Sequence, residues 1–459
     1  AGASSRMGSR SDGMVGFPTS GVGRKNYGSG PIGSFMQNWE DSVAEAGGVT
    51  PYNLTDYILE LEYMLPSMIE ASAQQSNNCS CDAHDNCYQL ETPYPTERGE
   101  LMGYGGGDWE DFFKMTPKVT TVVLGAYSDV TWSEDMICRA HANGVRVLLD
   151  NPSGFGSKFE DSYEFDNITF IADWIKQRID AVAEKYADGF VIDEEDKSPD
   201  AYITTWSTSY SALTALLTAT LTAVRPGSYV GVAVPWSPDG IDLRYYDWRG
   251  LAFGSTFFWV MSYSIPSQVF SRCIAGGNGV KQIEHGLLGY MAYGIPAEKL
   301  VMGMSWGGAA FECTNFVGDT GLDYCAPKME TGLFGYRGVN CTDAVSESMG
   351  NLHNAWDRLT APNTVYHGWD DYTKLPYFNY VTPLNGSDTK LYQVWYESPE
   401  SIGHKVALAS NMNVGGVGPW EFGKLNWTKP DQVYDVWSQF CKFFDCSEYA
   451  KCSGGSCHD

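Results

Sequence analysis

The chain has 459 residues, of which 43% are hydrophobic and 14% aromatic, enough for one large buried core with insertions or for two ordinary domains. Its 56 acidic and 30 basic residues give a net charge of −26 at pH 7. Most of this surface would repel a phosphate backbone, which disfavours a nucleic-acid partner. No run of about 18 apolar residues occurs, so we expect no membrane span.

The first 78 residues differ in composition from the rest of the chain. Residues 1–35 are rich in Gly and Ser and basic, with Asp12 as their only acid, which predicts a flexible arm. We expect this arm to lie against a protein partner or against the chain's own main domain. Residues 36–78 contain one helical pattern, Leu54–Ala73, so residues 1–78 are predicted to form an arm and a helical extension. Because the chain begins with Ala1, we also expect a leader to have been removed.

From about residue 100, short apolar segments alternate with helical ones. The predicted strands are Leu101–Tyr104, Val119–Leu124, Val145–Leu149, Gly189–Ile192, Val230–Val234, Phe257–Met261, Leu300–Met304 and Val414–Val417. The predicted helices include Trp132–Asn143, Ile168–Tyr186, Tyr202–Ala223 and Ser267–Tyr293. Continuous apolar strands separated by helices indicate a parallel sheet buried on both faces. Eight such strands, with no Gly-rich phosphate loop, favour a (β/α)8 TIM barrel over an open nucleotide-binding sheet.

Two segments extend this pattern. The gap of residues 305–414, between the seventh and eighth strands, is too long for one helix and predicts an insertion that raises one wall of a cleft. A last helix, Pro430–Phe444, leads into a Cys-rich end. We therefore assign residues 79–430 to the barrel with its insertion and residues 431–459 to a C-terminal helix and Cys-rich tail.

Cysteines and glycosylation sequons indicate the secretory route. Twelve cysteines are present, and Asn-x-Ser/Thr triplets occur at Asn53, Asn78, Asn167, Asn340, Asn385 and Asn426. The cluster of Cys79, Cys81, His84 and Cys87 could bind zinc, but disulfides are favoured in this context. Local closures are expected for Cys313–Cys325 and among Cys441, Cys446, Cys452 and Cys457. We expect a secreted, lysosomal or other luminal protein.

Carboxylates at the end of the fourth strand are the candidate catalytic groups. Reactive groups in such barrels lie at the carboxyl ends of the strands. Strand alternation puts Val191, Asp193 and Glu195 on one face, so both acids point into the barrel mouth. Two carboxyl groups this close do not ionise independently, and a raised pKa suits a general acid. A merely solvated acidic strand end is the alternative, since five acids occur in nine residues.

The run Asp188–Glu195 resembles the Asp-Gly-x-Asp-x-Asp-x-Glu signature of glycoside hydrolase family 18, the chitinase family, at all but one of its fixed positions. Further matches, over roughly residues 79–430, are most similar to the lysosomal, exo-acting chitobiase branch. These segments are Trp236–Asp239, Val260–Tyr263, Lys299–Gly303 with Trp306, Arg337–Ala344, Gln393–Tyr396, Pro399–Ile402 and Gly416–Trp420.

The resemblance implies substrate-assisted, retaining hydrolysis of β-1,4-linked N-acetylglucosamine oligosaccharides, with no metal or cofactor. Glu195 would protonate the glycosidic oxygen, Asp193 would bind the acetamide N–H, and Tyr263 would orient the acetamide oxygen. Trp420 would form the floor under the sugar. Trp236, Trp306 and Asp188 are further substrate-binding candidates. Barrel filling is the alternative for the aromatic residues.

Two departures from the family pattern favour a second hypothesis. Val191 stands where the family carries Asp or Asn, and Ser264 stands where it usually carries Asp. Losing such a group commonly costs roughly 10- to 1000-fold in rate. The alternative function is therefore a weakened barrel that acts as a glycan-binding or structural subunit, with a protein partner bound through residues 1–35. A plain sugar-binding lectin is a third reading.

Overall fold

The computed structural model describes residues 26–48, 53–88, 90, 99–105, 112–113, 116, 119–125, 132–150, 167–195, 205–241, 244–263, 265, 277–327, 346–348, 352–383 and 389–444. Eight parallel strands close into a barrel: β1 (Glu100–Tyr104), β2 (Thr121–Leu124), β3 (Arg146–Asp150), β4 (Gly189–Ile192), β5 (Tyr229–Pro235), β6 (Phe257–Met261), β7 (Leu300–Ser305) and β14 (Gly416–Trp420). Their order around the barrel is β1-β14-β7-β6-β5-β4-β3-β2. The TIM-barrel prediction is confirmed.

Helices surround this barrel. They are α3 (Glu134–Ala142), α4 (Ile168–Glu184), α5 (Thr205–Val224), α6 (Trp248–Gly254), α7 (Val280–Ala292), α9 (Pro399–Asn411) and α10 (Pro430–Trp437). Ser133 and Asn167 cap α3 and α4 by accepting a backbone N–H at the first turn. Of the helix predicted over Ser267–Tyr293, the structure describes α7 from Val280 onward, after Gly279, and residues 266–276 lie outside the described residues.

The apolar core has two layers, as strands buried on both faces require. Inside the barrel, inward side chains of neighbouring strands pack together, including Met102, Leu148, Val191, Trp259 and Val301. A larger cluster fills the space between the outer faces of the strands and the helices. The described interior of the barrel is therefore a packed core rather than a pore.

Two N-terminal helices cover one side of the barrel. They are α1 (Pro31–Glu45) and α2 (Thr55–Asn77), and they pack on α4, α5 and α6. Trp39 donates its indole N–H to the carbonyl oxygen of Gly250 at 3.0 Å. Helix α1 starts inside the segment that composition assigns to the arm. Its buried stripe Ile32, Met36, Trp39 and Val43 outweighs the neighbouring Gly and Ser residues, and Pro31 suits a first helical turn.

A second, antiparallel sheet is formed between β7 and β14. Its strands are β8 (Gly308–Val317), β9 (Tyr324–Pro327), β10 (Ser346–Ser348), β11 (Thr364–Asp370), β12 (Leu375–Pro383) and β13 (Thr389–Tyr396), and helix α8 (Leu352–Arg358) lies beside it. This sheet ends at Tyr396, before α9, which packs on α7, α10 and β14 as a barrel helix. The inserted residues are therefore fewer than the 305–414 expected from the sequence.

Disulfide bonds join Cys79 to Cys87, Cys81 to Cys138, and Cys313 to Cys325. The cysteines of the suspected zinc cluster are thus oxidised and cannot act as thiolate ligands. The predicted Cys313–Cys325 closure is confirmed. Cys441 is also disulfide-bonded, whereas Cys446, Cys452 and Cys457 lie outside the described residues. Among the described helices, none is long and apolar enough to cross a bilayer.

Candidate active site

A cavity of about 250 Å³ opens at the carboxyl ends of the barrel strands. Residues from β1, β4, β5, β6 and β14, together with the segments that follow them, form its walls. These residues are Tyr104, Asp193, Glu195, Ala233, Pro235, Trp236, Ile241, Arg244, Trp259, Met261, Tyr263 and Trp420. This is the end of the barrel at which the fold gathers reactive side chains.

Asp193 and Glu195 both reach this cavity from the end of β4. Val191, two residues before Asp193, belongs to the inner core cluster, so alternation along the chain carries both acids to the inner side. Burial, followed by the charge of Glu195, raises the pKa of Asp193 from 3.8 to about 7, while Arg244 opposes this rise. Below pH 7 the Asp193 carboxyl group therefore holds a proton in the substrate-free chain.

Aromatic rings form the opposite wall of the cavity. Trp420 stacks on Tyr263 at 6.1 Å between ring centroids and contacts Tyr104 at 4.7 Å. Trp259 donates its indole N–H to the Tyr263 hydroxyl at 3.2 Å. Burial and the nearby carboxylates raise the pKa of both Tyr104 and Tyr263, so each remains a neutral phenol. Such a wall offers flat apolar faces beside hydroxyl groups.

Glu195 is held by Arg244, which precedes α6. Arg244 donates from Nε to the carbonyl oxygen of Glu195 at 2.8 Å and from Nη2 to its Oε2 at 2.7 Å. The arginine side chain is 10% exposed, whereas that of Glu195 is 51% exposed. The candidate acid thus faces solvent on one side and a buried cation on the other.

A carboxyl group on the neighbouring strand β3 lies beside the apolar position 191. Asp150, the last residue of β3, is in register with Val191 and is buried. Its charge contributes to the raised pKa values of Tyr104 and Tyr263. The second departure from the family pattern, Ser264, lies outside the described residues.

Asp188 does not belong to this site, which corrects its assignment to substrate binding. It precedes β4, at the end of the barrel opposite to the cavity, and is fully buried. Its carboxylate accepts hydrogen bonds from Leu90 N and Val147 N at 2.7 Å each and contacts His141 Nε2 at 3.0 Å. The signature places Asp188 seven residues before Glu195, so a strand running between them separates the two by its whole length.

The two tryptophans proposed as subsite residues have different positions. Trp236 lines the cavity directly after β5. Trp306 is fully buried, and its ring lies 5.0 Å from that of Trp437 and 6.1 Å from that of Phe440. This packing against α10 and the turn that follows it is a core contact, so the substrate-binding role predicted for Trp306 does not fit its position.

The sequon residues that the structure describes are accessible to different degrees. Asn53, Asn78 and Asn167 are exposed, and Asn426 is half-buried. Asn167 also caps α4 with its side-chain oxygen. Asn340 and Asn385 lie outside the described residues. Glycosylation at these asparagines stays a prediction.

Arg244, Tyr104, Trp259 and Asp150 were missed by the sequence analysis. Tyr104 and Asp150 end β1 and β3, so the rule that strand ends carry function could have found both. Trp259 alternates with Met261 and Tyr263 on one face of its strand. Arg244 lies outside the described strands, and the folding of the chain brings it to Glu195.

In the part of the chain that the structure describes, Cys79, Cys81 and Cys87 form one group close enough to hold a metal ion, but these are disulfide cysteines. The cavity residues combine two carboxyl groups, one guanidinium and phenols. This set can transfer protons and bind a polar ring without a metal ion.

Comparisons with known proteins agree with this arrangement. The family model described as "Glycosyl hydrolases family 18" matches residues 111–424. Di-N-acetylchitobiase of Rattus norvegicus is 30% identical over 387 residues, which cover 83% of this chain and 96% of the relative. Probable di-N-acetylchitobiase 2 of Dictyostelium discoideum is 29% identical over 374 residues, covering 80% and 91% respectively.

The crystal structure of a class V chitinase from Nicotiana tobaccum shares the fold, with a TM-score of 0.53 and 15% identity over 74% of this chain and 99% of that one. The family match spans well over half of the chain and includes every described cavity residue except Tyr104. With its closed barrel and the acids at the end of β4, the chain belongs to family 18 of the glycosyl hydrolases.

Proposed function

We propose that this chain hydrolyses short β-1,4-linked N-acetylglucosamine oligosaccharides. The observation that carries the proposal is the pair Asp193 and Glu195, which lie together in an aromatic-walled cavity at the carboxyl ends of the barrel strands. Relatives named di-N-acetylchitobiase, matched over most of their length, support a substrate of this class. The cavity volume is small beside the roughly 300–1,000 Å³ of drug-sized sites, which favours the end of a short chain.

The proposed reaction is substrate-assisted and retains the anomeric configuration. Glu195 gives a proton to the glycosidic oxygen as the bond to the anomeric carbon breaks, and the acetamide oxygen of the same sugar attacks that carbon. Asp193 accepts a hydrogen bond from the acetamide N–H and balances the oxazolinium charge. Water then opens this ring, and Glu195 recovers its proton from that water.

The aromatic residues bind and orient the sugar. The Tyr263 hydroxyl, which stays protonated and receives the indole N–H of Trp259, donates to the acetamide oxygen. The face of Trp420 supports the apolar side of the sugar ring, and Trp236 contacts the neighbouring unit. No metal ion or cofactor enters this proposal, because the substrate supplies the nucleophile.

We infer a lysosomal, secreted or other luminal location from the chemistry of the chain. Three disulfide bonds among the described residues require an oxidising route. The net charge of −26 at pH 7 becomes less negative in an acidic compartment, because carboxylates are partly protonated there. The proton on Asp193 below pH 7 also suits a reaction that needs one proton within the acid pair.

Hydrolysis of an aryl chitobioside at acidic pH tests the proposal. Purified protein is compared with its Glu195→Gln variant, which keeps the size of the side chain and removes its acid. We expect turnover by the natural chain and a loss of at least 100-fold in the variant. Equal rates for the two proteins would overturn the proposal.

The second candidate function is a glycan-binding or structural subunit without useful turnover. The observation that favours it is the apolar, fully buried Val191 below Asp193. It predicts chitobiose binding without hydrolysis, and co-purification with a protein partner that is lost when residues 1–35 are deleted. A plain lectin would bind the sugar equally well with Gln at position 195.

A further inference from the structure

Arg244 is the feature of the cavity that the proposed reaction does not use. Its backbone N–H donates to the carbonyl oxygen of Ile241 at 3.0 Å, and it precedes α6. The segment after β5 thus carries the guanidinium group across to the end of β4. Among the described residues that line the cavity, Arg244 is the only Lys or Arg.

Two different parts of Glu195 are bound by this one side chain. Nε contacts the backbone carbonyl oxygen at 2.8 Å, and Nη2 contacts Oε2 at 2.7 Å. The guanidinium group is planar and its donors are fixed relative to one another, so the two contacts set both the position of the strand end and the rotamer of the acid. A lysine has a single nitrogen in its side chain, so it could not bind the backbone carbonyl oxygen and Oε2 of Glu195 in this fixed arrangement.

Charged and titratable groups face Glu195 from four sides. They are Arg244 from the segment after β5, Asp193 from the end of β4, Tyr104 from β1 and Tyr263 from the segment after β6. Both phenols stay neutral, so the charges around Glu195 are those of Arg244, of Asp193 and of the buried Asp150, which acts on the same two phenols from the end of β3. A change at Arg244 must therefore be felt by the carboxyl groups of both Glu195 and Asp193.

We propose that Arg244 is a positioning residue for Glu195: it holds both the side chain and the backbone carbonyl oxygen of this residue at the cavity until the sugar enters. This inference rests on the proposed function. When the acetamide N–H binds Asp193, that residue becomes a hydrogen-bond acceptor and its proton passes to Glu195 Oε2. The side-chain contact with Arg244 is then given up, and the contact with the backbone carbonyl oxygen keeps the acid in place. One proton moves within the pair, and the net charge is unchanged.

The test is the pH dependence of kcat/KM in Arg244→Met. Arg244 lowers the pKa of Asp193, so its removal should move the basic limb of the profile to higher pH, by about 0.5–1 unit. We also expect kcat to fall by roughly tenfold while KM changes little, because the acid loses its orientation and the sugar contacts remain. Arg244→Lys should return the limb to its natural position and recover only part of kcat.

Arg249→Met is the matched control. Arg249 lies on α6, outside the cavity, where it binds the carbonyl oxygens of Tyr293 and Ala46. Its loss removes the same charge five residues away, and we expect an unchanged pH profile. If Arg244→Met does not fold, Arg244→Gln, which keeps one donor without the charge, replaces it in the comparison with Arg244→Lys.

The outcomes separate the two proposals. If the natural chain turns over substrate and a folded, uncharged Arg244 variant shows the same basic limb in its pH profile, the inference is overturned and the proposed function stands. The inference is also overturned if the basic limb of the kcat/KM profile lies at the same pH in the uncharged variant and in Arg244→Lys. Absence of turnover in the natural chain overturns the proposed function, and this inference with it.

Discussion

Asp150, the last residue of β3, lies directly beside Val191 of β4 in the register of the barrel. The family pattern leads us to expect an acid or amide at position 191, and in this chain the neighbouring strand carries the carboxyl group instead. Gly125, which follows β2, leaves room for it: a Cβ atom there would lie 3.0 Å from Asp150 Oδ2. A buried carboxyl group therefore lies one strand away from the apolar position 191, where its charge acts on Tyr104 and Tyr263.

Asp150→Asn should therefore slow hydrolysis although Asp150 does not belong to the signature. Its negative charge lies near the phenols that surround the developing cation, and we expect kcat/KM to fall by roughly tenfold or more. Steady-state kinetics on an aryl chitobioside, with thermal unfolding as the check of folding, measure this. A change of less than twofold in a stably folded variant would show that Asp150 does not replace the missing group.

The sequence predicted the barrel and the acid pair because both depend on local patterns. Strand periodicity gave eight buried segments, and alternation along β4 placed Asp193 and Glu195 on the inner side. A barrel places β3 beside β4, but the register that sets Asp150 opposite Val191 does not follow from spacing along the chain. The contacts of Arg244 with Glu195 depend on a segment outside the strands, so they do not follow from it either. Trp306 illustrates the converse: it follows a strand end in a matched motif, yet packing against α10 buries it.

Asp193→Asn should stabilise the fold at neutral and alkaline pH while it impairs hydrolysis. Folding raises the pKa of Asp193 from 3.8 to about 7, so the folded chain keeps a proton that the unfolded chain releases. The stability from this group is complete below pH 3.8 and is lost as pH rises through 7. A neutral amide avoids the loss, and we expect a gain on the order of 2 kcal/mol at pH 8 and little gain at pH 4.

Urea unfolding at the two pH values provides the measurement. Asp371→Asn is a suitable control, because Asp371 is an exposed carboxylate bound to Lys374 on the second sheet. An equal change in stability at pH 4 and pH 8 for Asp193→Asn would contradict the raised pKa.

His141 should make the fold more stable in acid than in base. Burial opposes its protonation, but the Asp188 carboxylate at 3.0 Å outweighs burial and raises the pKa of His141 above 6.5. The stability from this pair is present below pH 6.5 and is lost as pH rises through the folded-state value. We expect His141→Gln to flatten this part of the stability profile, as measured by thermal unfolding from pH 5 to pH 8. A profile as steep as that of the natural chain would refute the assignment.

Asp188→Asn should weaken the fold without affecting substrate binding. Both carboxylate oxygens accept hydrogen bonds from backbone N–H groups, from Leu90 and from the buried Val147, and an amide offers a single acceptor oxygen, so one N–H loses its partner. With the loss of the His141 contact, we expect a cost of about 3 kcal/mol. KM should remain unchanged, because Asp188 lies at the other end of the barrel. A several-fold rise in KM without a loss of stability would restore the substrate-binding role expected from the sequence.

Trp236 and Trp306 should respond oppositely to replacement by phenylalanine. Trp236 lines the cavity, so Trp236→Phe removes contact area from the sugar, and we expect KM to rise about threefold or more with a modest effect on stability. Trp306 is fully buried against Trp437, so Trp306→Phe leaves a gap in the core and should cost about 1–2 kcal/mol with KM unchanged. Kinetics and urea unfolding on both variants make the comparison. If Trp306→Phe raised KM without a change in stability, the substrate would contact the Trp306 indole and its assignment to the core would be wrong.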